Sequence, residues 1–196
     1  MRLKKLKSNK RQSARVYNTT MAAIHFSAKL TTIGSWTILH LPVSASAKLP
    51  SRGMVVVKGM LNGVPVIEPL EPDGVGSHWF RLQKPLLDKI NAKSGDSVEM
   101  DMEPTKEWPE PEVPDDLAKA LKEDEKARAV WESTTPIAHW DWVRSIRSTN
   151  NPATRQKRVE VAISKLRSGK KRQCCFNRSS CTDMTVCTNG RLAVTL

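Results

Sequence analysis

The stretch MVVVKGMLNGVPVIEPL, residues 54–70, decides the fold of the first half of this chain. It opens with the apolar run Met54 to Val57, and the pair Asn62-Gly63 divides it in two. Both residues of that pair tolerate positive φ, which the central positions of a type I′ turn require. Val64 to Leu70 is then the natural return strand. The stretch therefore predicts an antiparallel β-hairpin.

Short runs rich in β-branched and aromatic residues lie on both sides of this hairpin, and turn residues separate them. The further predicted strands are Ile24 to Leu30, Ile33 to Leu41, Ser77 to Leu82 and Ser97 to Met102. Between the last two, Pro85 to Asn91 predicts one or two helical turns. Five or six short strands at hairpin spacing indicate a small closed or partly open barrel over residues 22–104.

The hydrophobic period changes after a proline-rich linker at residues 105–114. Residues 115–172 follow a helical period and predict a helical module. Its best-defined helix starts at Asn151-Pro152, an N-cap followed by a first-position proline. The apolar residues of this helix share one face: Val159, Ala162, Ile163 and Leu166. The predicted fold class is therefore α+β, with a barrel followed by helices and by a cysteine-containing tail at residues 173–196.

The formal net charge of +12 is distributed unevenly along the 196 residues. Residues 1–20 carry +7, residues 21–104 are neutral and residues 105–134 carry −4. Residues 135–172 carry +8, and the remaining residues add +1. The barrel is therefore neutral, and the basic character belongs to the first twenty residues and to the last helices.

The basic segment at residues 1–21 predicts a disordered leader, because no apolar core long enough for a secretory signal follows it. The natural start is either Met1 or Met21, and an organellar leader stays open because the segment contains Arg and Ser but no acid. No run approaches the roughly 18 apolar residues that a transmembrane helix needs. We therefore expect a protein without a membrane span. The cysteines are clustered and not spread as a framework that staples a whole fold, which favours a cytoplasmic, reducing location.

The four cysteines fall within fourteen positions: Cys174, Cys175, Cys181 and Cys187. Four thiolates satisfy a tetrahedral zinc ion, so a zinc site is the alternative for this cluster. The spacing argues against it, because two of the cysteines are adjacent and no Cys-x2-Cys pair occurs. We expect reduced thiols and no metal, with a redox disulfide as a further alternative.

The order of these features resembles a known combination of domains. The segments Phe26 to Leu30, Trp36 to Pro42, Gly53 to Gly63 and Gly76-Ser77-His78 resemble a small barrel domain of unknown function. The segments Pro114 to Leu121 and Asn151 to Arg172 resemble the YdeI/OmpD-associated helical module that this domain often precedes. The resemblance implies a double-split barrel of AbrB-like shape and a bacteriocin-protection family without an established reaction.

Two residues are candidates for a small-ligand site at a barrel mouth. His78 follows the turn Asp73 to Gly76, and we expect a barrel rim to present it to solvent beside Asn62. The alternative is an ordinary structural histidine. No phosphate loop, nucleophile elbow or metalloprotease pattern occurs in the sequence, and no cofactor is predicted. Catalysis is therefore the disfavoured class.

Basic residues of the last helices are candidates for binding a polyanion, because Lys and Arg neutralise phosphates and release counterions. The candidates are Arg144, Arg147, Arg155, Arg158, Lys170 and Arg172. The alternative is a solvated helix face that pairs with the acid-rich residues 107–132.

Three functions stay open from the sequence. The first is a non-enzymatic binding or stress-protection protein whose small ligand or protein partner is unknown. The second is a nucleic-acid-binding regulator that uses the basic helices, and the third is an enzyme that acts at the barrel mouth.

Overall fold

The computed structural model describes residues 23–174 and 177–193. The predicted α+β class is confirmed, with a closed antiparallel barrel followed by helices. The barrel strands are β1 (Ile24–Ile33), β2 (Trp36–His40), β3 (Val55–Leu61), β4 (Val64–Pro72), β5 (His78–Leu82) and β6 (Ser97–Pro104). Two short helices, α1 (Val43–Ser46) and α2 (Lys84–Lys89), connect them.

The barrel closes in the strand order β1-β2-β5-β4-β3-β6, with β6 paired back to β1. Side chains alternate between the two faces of each strand, and the closed barrel encloses the apolar face of every strand. Along β6, Val98, Met100 and Met102 point into the core, and the acids between them face outward. The apolar core of the barrel includes Leu30, Leu39, Leu70 and Met100, each at most 1% exposed.

The hairpin predicted from residues 54–70 is confirmed. Leu61 pairs with Val64, and Asn62 and Gly63 have φ values of 46° and 79°. Asn62 Oδ1 also accepts a hydrogen bond of 2.8 Å from the backbone N–H of Glu99. The turn that the sequence signals is thus also tied to the neighbouring strand β6.

The helical module contains α3 (Asp115–Glu123), α4 (Glu125–Glu132), α5 (Pro136–Arg147) and α6 (Pro152–Arg167). Asn151 caps α6 as predicted, because its Oδ1 accepts a hydrogen bond of 2.9 Å from Thr154 N–H. The predicted apolar face of α6 is buried in a core shared with α3, α4 and α5. No helix in the described part of the chain has the length and apolar character to cross a membrane.

Residues 177–193, which we call the tail hairpin, fold back onto the outside of the barrel. Their two short strands, β7 (Cys187–Thr188) and β8 (Arg191–Leu192), follow a disulfide-closed loop. Val186 and Leu192 pack against barrel residues of β1, β2 and β5, including Trp79. The sequence predicts a tail here, but it predicts neither a hairpin nor the docking of this hairpin on the barrel.

Gly74, in the turn between β4 and β5, allows the tail hairpin to come close. A Cβ at this position would lie 1.9 Å from the carbonyl oxygen of Gly190, and the residue has a φ of 81°. Next to it, Leu192 N–H donates to the carbonyl of Asp73 at 2.8 Å. Only glycine fits both the conformation and the space.

Candidate binding cleft

A cavity of about 590 Å³ lies where the barrel, the linker and α5 meet. Domain interfaces are common places for ligand sites, and this volume is within the range of small-molecule pockets. Strands β4 and β5 form one wall, the linker and the start of α3 form another, and α5 and the tail hairpin form the floor. We call this cavity the seam cleft, and the contact between barrel, α5 and tail hairpin the seam.

The lining of the seam cleft carries more negative than positive groups. Six carboxylates and two guanidinium groups face it, together with the indole of Trp140. The carboxylates are Glu68, Glu71, Glu110, Glu112, Asp115 and Asp183, and the guanidinium groups belong to Arg81 and Arg147. Low-dielectric walls that carry one sign of charge focus the electrostatic field and attract counter-ions. The arrangement therefore favours a cationic ligand.

Glu68 is the carboxylate with the most unusual environment in the seam cleft. Burial raises the pKa of Glu68 to about 7, because desolvation disfavours the charged form. Within the described residues, no hydrogen bond or ion pair holds this side chain. A carboxyl group whose pKa lies near neutral pH and that faces a cavity is typical of functional sites.

Glu71 and Arg147 form the floor of the cleft as an ion pair between β4 and α5. Arg147 Nη1 also lies 3.6 Å from Asp183 Oδ2 of the tail hairpin. One arginine thus joins the barrel, α5 and the tail hairpin.

Arg144, one turn earlier on α5, is only 1% exposed. Its guanidinium donates to the carbonyls of Arg178 and Ser180 at 3.2 and 2.8 Å and to Thr182 Oγ1 at 3.3 Å. Burial lowers the pKa of Arg144 to about 10, so that the side chain is still charged at neutral pH. A buried charge needs such partners, and the tail hairpin supplies most of them.

The linker is fixed to the helical module by two hydrogen bonds. Trp140 Nε1–H donates to the carbonyl of Pro109 at 2.9 Å, and His139 Nδ1 lies 2.6 Å from Glu110 Oε2. The ring of His139 stacks on Trp131 with a centroid distance of 4.0 Å. The linker wall of the cleft is therefore held in place by α5.

Comparison with protein-family models gives two matches. Residues 110–169 match the family described as "Bacteriocin-protection, YdeI or OmpD-Associated". Residues 24–102 match a domain of unknown function, DUF1905. The helical module therefore matches the YdeI/OmpD-associated family, and the N-terminal barrel matches the domain of unknown function, so the resemblance noted from the sequence is confirmed. Among the curated proteins, none matches the chain.

The expectation that His78 faces solvent beside Asn62 is wrong. His78 is 0% exposed, and its ring lies between Ser46 Oγ at 2.7 Å and the carbonyl of Gly53 at 2.8 Å. Asn62 precedes the first residue of β4, whereas His78 pairs with Pro72 at its far end. The nine residues of β4 span roughly 26 Å, so that the two side chains belong to opposite ends of the barrel.

Burial also lowers the pKa of His78 because desolvation disfavours the imidazolium form. The neutral ring can donate from Nε2 to Gly53 and accept at Nδ1 from the hydroxyl of Ser46. His78 is thus a structural histidine, which the sequence left open as the alternative.

Most of the predicted polyanion-binding cations have partners inside the molecule. Arg144 and Arg147 belong to the seam, and Arg155 donates twice to Asp116 at 2.6 and 3.0 Å. Arg158 donates to the carbonyl of Ser145 at 2.9 Å, and Arg172 to Asp141 Oδ2 at 2.8 Å. Burial of Arg144 removes it as a surface contact. Lys170 lies exposed after α6, and polyanion binding there stays a prediction.

The cysteines also differ from the sequence expectation. Cys181 and Cys187 form a disulfide, so the prediction of reduced thiols at these two positions is wrong in this structure. Cys174 is exposed, and Lys165 Nζ lies 3.2 Å from its sulfur. Cys175 lies outside the described residues. Within the described ranges, no group of three or more His, Cys, Asp or Glu is placed to hold a metal ion.

The seam cleft was not predicted from the sequence. Glu68 was part of the predicted return strand, and Glu71 and Asp183 were given no role as site residues. One signal was present: Glu71 lies between the apolar residues Leu70 and Pro72 at the end of a strand, where a charge without a partner would be costly.

Proposed function

We propose that this YdeI/OmpD-associated protein is a non-enzymatic binding protein whose ligand occupies the seam cleft. The observation that carries the proposal is a cavity of about 590 Å³ at the domain interface, lined by six carboxylates and two guanidinium groups. Two of the carboxylates, Glu71 and Asp183, are already paired with Arg147. Glu110 contacts His139, and Glu68, Glu112 and Asp115 leave negative charge for a ligand. This supports a small organic cation as its chemical class.

Glu68 makes the proposed binding depend on pH. A cation next to Glu68 favours the ionised carboxylate, so binding would release a proton below pH 7. The charged groups that face the same space are Arg81 on β5, Glu110 and Glu112 on the linker, Asp115 on α3, Arg147 on α5 and Asp183 on the tail hairpin, with Lys89 of α2 beside an adjoining pocket. Affinity for a cation should therefore rise as the pH rises through about 7.

Isothermal titration with spermidine and with the methyl ester of lysine, at pH 6 and pH 8, tests this function. Glu112→Gln removes an exposed cleft carboxylate and should weaken binding about three- to tenfold, since one charge interaction is lost. Glu132→Gln, an exposed acid on α4 that does not line the cleft, is the matched control. Equal losses in the two variants, or no binding of either amine at low salt, would exclude the cleft as a cation site.

The family description names bacteriocin protection, and we propose the same physiological role for this chain. Bacterial cells that express the chain should survive a bacteriocin challenge better than cells with an empty vector. Protection that is unchanged by Glu68→Gln together with Glu112→Gln would separate that role from the seam cleft.

A further inference from the structure

The tail hairpin has little structure that could hold it in place by itself. It contains 17 residues, and its two strands have two residues each. An isolated two-stranded hairpin is marginally stable at best in water, and very small units usually need a disulfide or a metal. The disulfide between Cys181 and Cys187 closes the loop that precedes β7. It is therefore the main covalent constraint on the tail hairpin.

The disulfide lies within the surface that docks on the barrel. Cys181 and Cys187 are each 3% exposed and pack with Val186 and Leu192 against Ile33, Ile38 and Trp79. Between the two cysteines, Asp183 organises the loop, because its carbonyl accepts from Val186 and Cys187 and its Oδ1 accepts from Thr185. Separation of the sulfurs would free the residues that make both the apolar and the polar contacts.

The seam depends on the same loop. Thr182 and Asp183 lie between the bonded cysteines, and they contact Arg144 and Arg147 of α5. A departing tail hairpin would leave Arg144 buried without three of its acceptors, and a buried charge that loses its partners is strongly destabilising. Release of the hairpin must therefore be accompanied by entry of water into the seam.

We propose that the Cys181–Cys187 disulfide is a redox latch: its reduction releases the tail hairpin and opens the seam between the barrel and α5. The reductant is a dithiol. Its first thiolate attacks one protein sulfur, forms a mixed disulfide with it and releases the other protein sulfur as a thiolate. The second thiol of the reductant then attacks its own sulfur in the mixed disulfide, which leaves two protein thiols and a cyclic oxidised dithiol. Two electrons and two protons thus pass to Cys181 and Cys187.

The latch does not require a ligand, but its reduction should change the affinity of the seam cleft for a ligand. Asp183 and Arg147 line the seam cleft, so cation affinity should change on reduction, and this consequence alone rests on the proposed function. Hydrogen exchange reports on the latch and titration reports on binding, so that failure of one is distinguishable from failure of the other.

Hydrogen–deuterium exchange of the full chain, before and after treatment with dithiothreitol, tests the latch. Peptides from residues 177–193 and 136–147 should exchange at least about tenfold faster in the reduced protein, because both segments lose protection when the seam opens. Peptides from β3 should not change. Alkylation and mass measurement report how many thiols the treatment produced.

Two variants complete the test. Cys181→Ser/Cys187→Ser should show the fast exchange without reductant and no further response to it. Cys174→Ser/Cys175→Ser removes the other two cysteines and should respond as the wild type does. Unchanged exchange in fully reduced wild type would overturn the latch, as would a disulfide that dithiothreitol reduces only in urea. If the first variant does not fold, the reduced wild type decides alone.

Discussion

The interior of the barrel and the seam are both buried, but they bury opposite kinds of side chain. The barrel core consists of apolar residues such as Leu39, Leu70 and Met100, each 0% exposed. The seam buries Glu71, Arg144 and Asp141. Apolar burial is favourable wherever it occurs, whereas buried charges are favourable only with complete partners. Substitutions in the barrel core should therefore cost free energy according to the volume that they remove, whereas the seam should be sensitive to the loss of any one charged partner.

Arg144→Ala should produce the largest effect. It removes the donor to three tail acceptors and a cation near Glu71, and we expect a loss of about 3–5 kcal/mol in the free energy of unfolding. Urea denaturation measures it. The control Arg167→Ala breaks an exposed pair with Asp124 and should cost under about 1 kcal/mol. A similar small loss for Arg144→Ala would mean that the seam is held by other contacts.

Gly74→Ala should be the next largest change, because it disturbs the docking of the tail hairpin and strains one turn of the backbone. The new methyl group would collide with the carbonyl of Gly190, and the backbone would be strained at positive φ. We expect a loss of about 2–3 kcal/mol or release of the hairpin. Hydrogen exchange of residues 177–193 distinguishes the two results. Gly63→Ala, also at positive φ but with open space around it, is the control for backbone strain alone.

Glu68→Gln should remove a pH dependence of stability. The pKa of Glu68 is raised in the folded state to about 7 from 4.5, so the folded protein holds this proton more tightly than the unfolded chain. The wild type should lose stability as the pH rises from about 4.5 to about 7. The loss should be about 1–2 kcal/mol, since water reaches part of the side chain.

Urea denaturation at pH 4.5 and pH 8 checks this result. The variant should equal the wild type at the lower pH and exceed it at the higher one. Asp73 and Asp116 also have shifted pKa values, but both are lowered. Burial raises the pKa of each, but hydrogen bonds outweigh it. Since the wild type and the Glu68→Gln variant both contain these residues, their contribution cancels in the difference between the two proteins. A constant difference between the two proteins at all pH values would contradict the shift at Glu68.

Asn151→Ala should have the smallest effect on the free energy of unfolding. It serves as the reference for a substitution that lies outside both the barrel interior and the seam. It removes the side-chain cap of α6, and we expect a loss of about 1 kcal/mol. Asn151→Asp keeps an acceptor and should lose little. Urea denaturation of the two variants provides the measurement.

The barrel and the last helix could be predicted from sequence because their signals are local. The turn at Asn62-Gly63 and the cap at Asn151-Pro152 are each encoded by adjacent residues. The seam could not be predicted in this way. Glu71, Arg147 and Asp183 meet across separations of 76 and 36 positions, and no periodicity connects them. A run of arginines looks basic in sequence whether or not its charges are paired after folding.

The same limit explains the error at His78. A polar residue after a glycine-rich turn indicates an exposed rim, but α1 and the loop at Gly53 cover this position. A covering segment is invisible to local patterns. The seam cleft was missed for the same reason, since its walls come from β4, the linker, α5 and the tail hairpin.

The return of the tail hairpin to the barrel has a consequence for synthesis on the ribosome. The barrel and the four later helices leave the exit tunnel before residues 178–192 do, and domains generally fold as units in that order. Until then, Arg144 has none of its acceptors on Arg178, Ser180 and Thr182. The barrel and the helical module should therefore fold first as separate bodies, and their mutual orientation should become fixed only when the last part of the hairpin has left the exit tunnel.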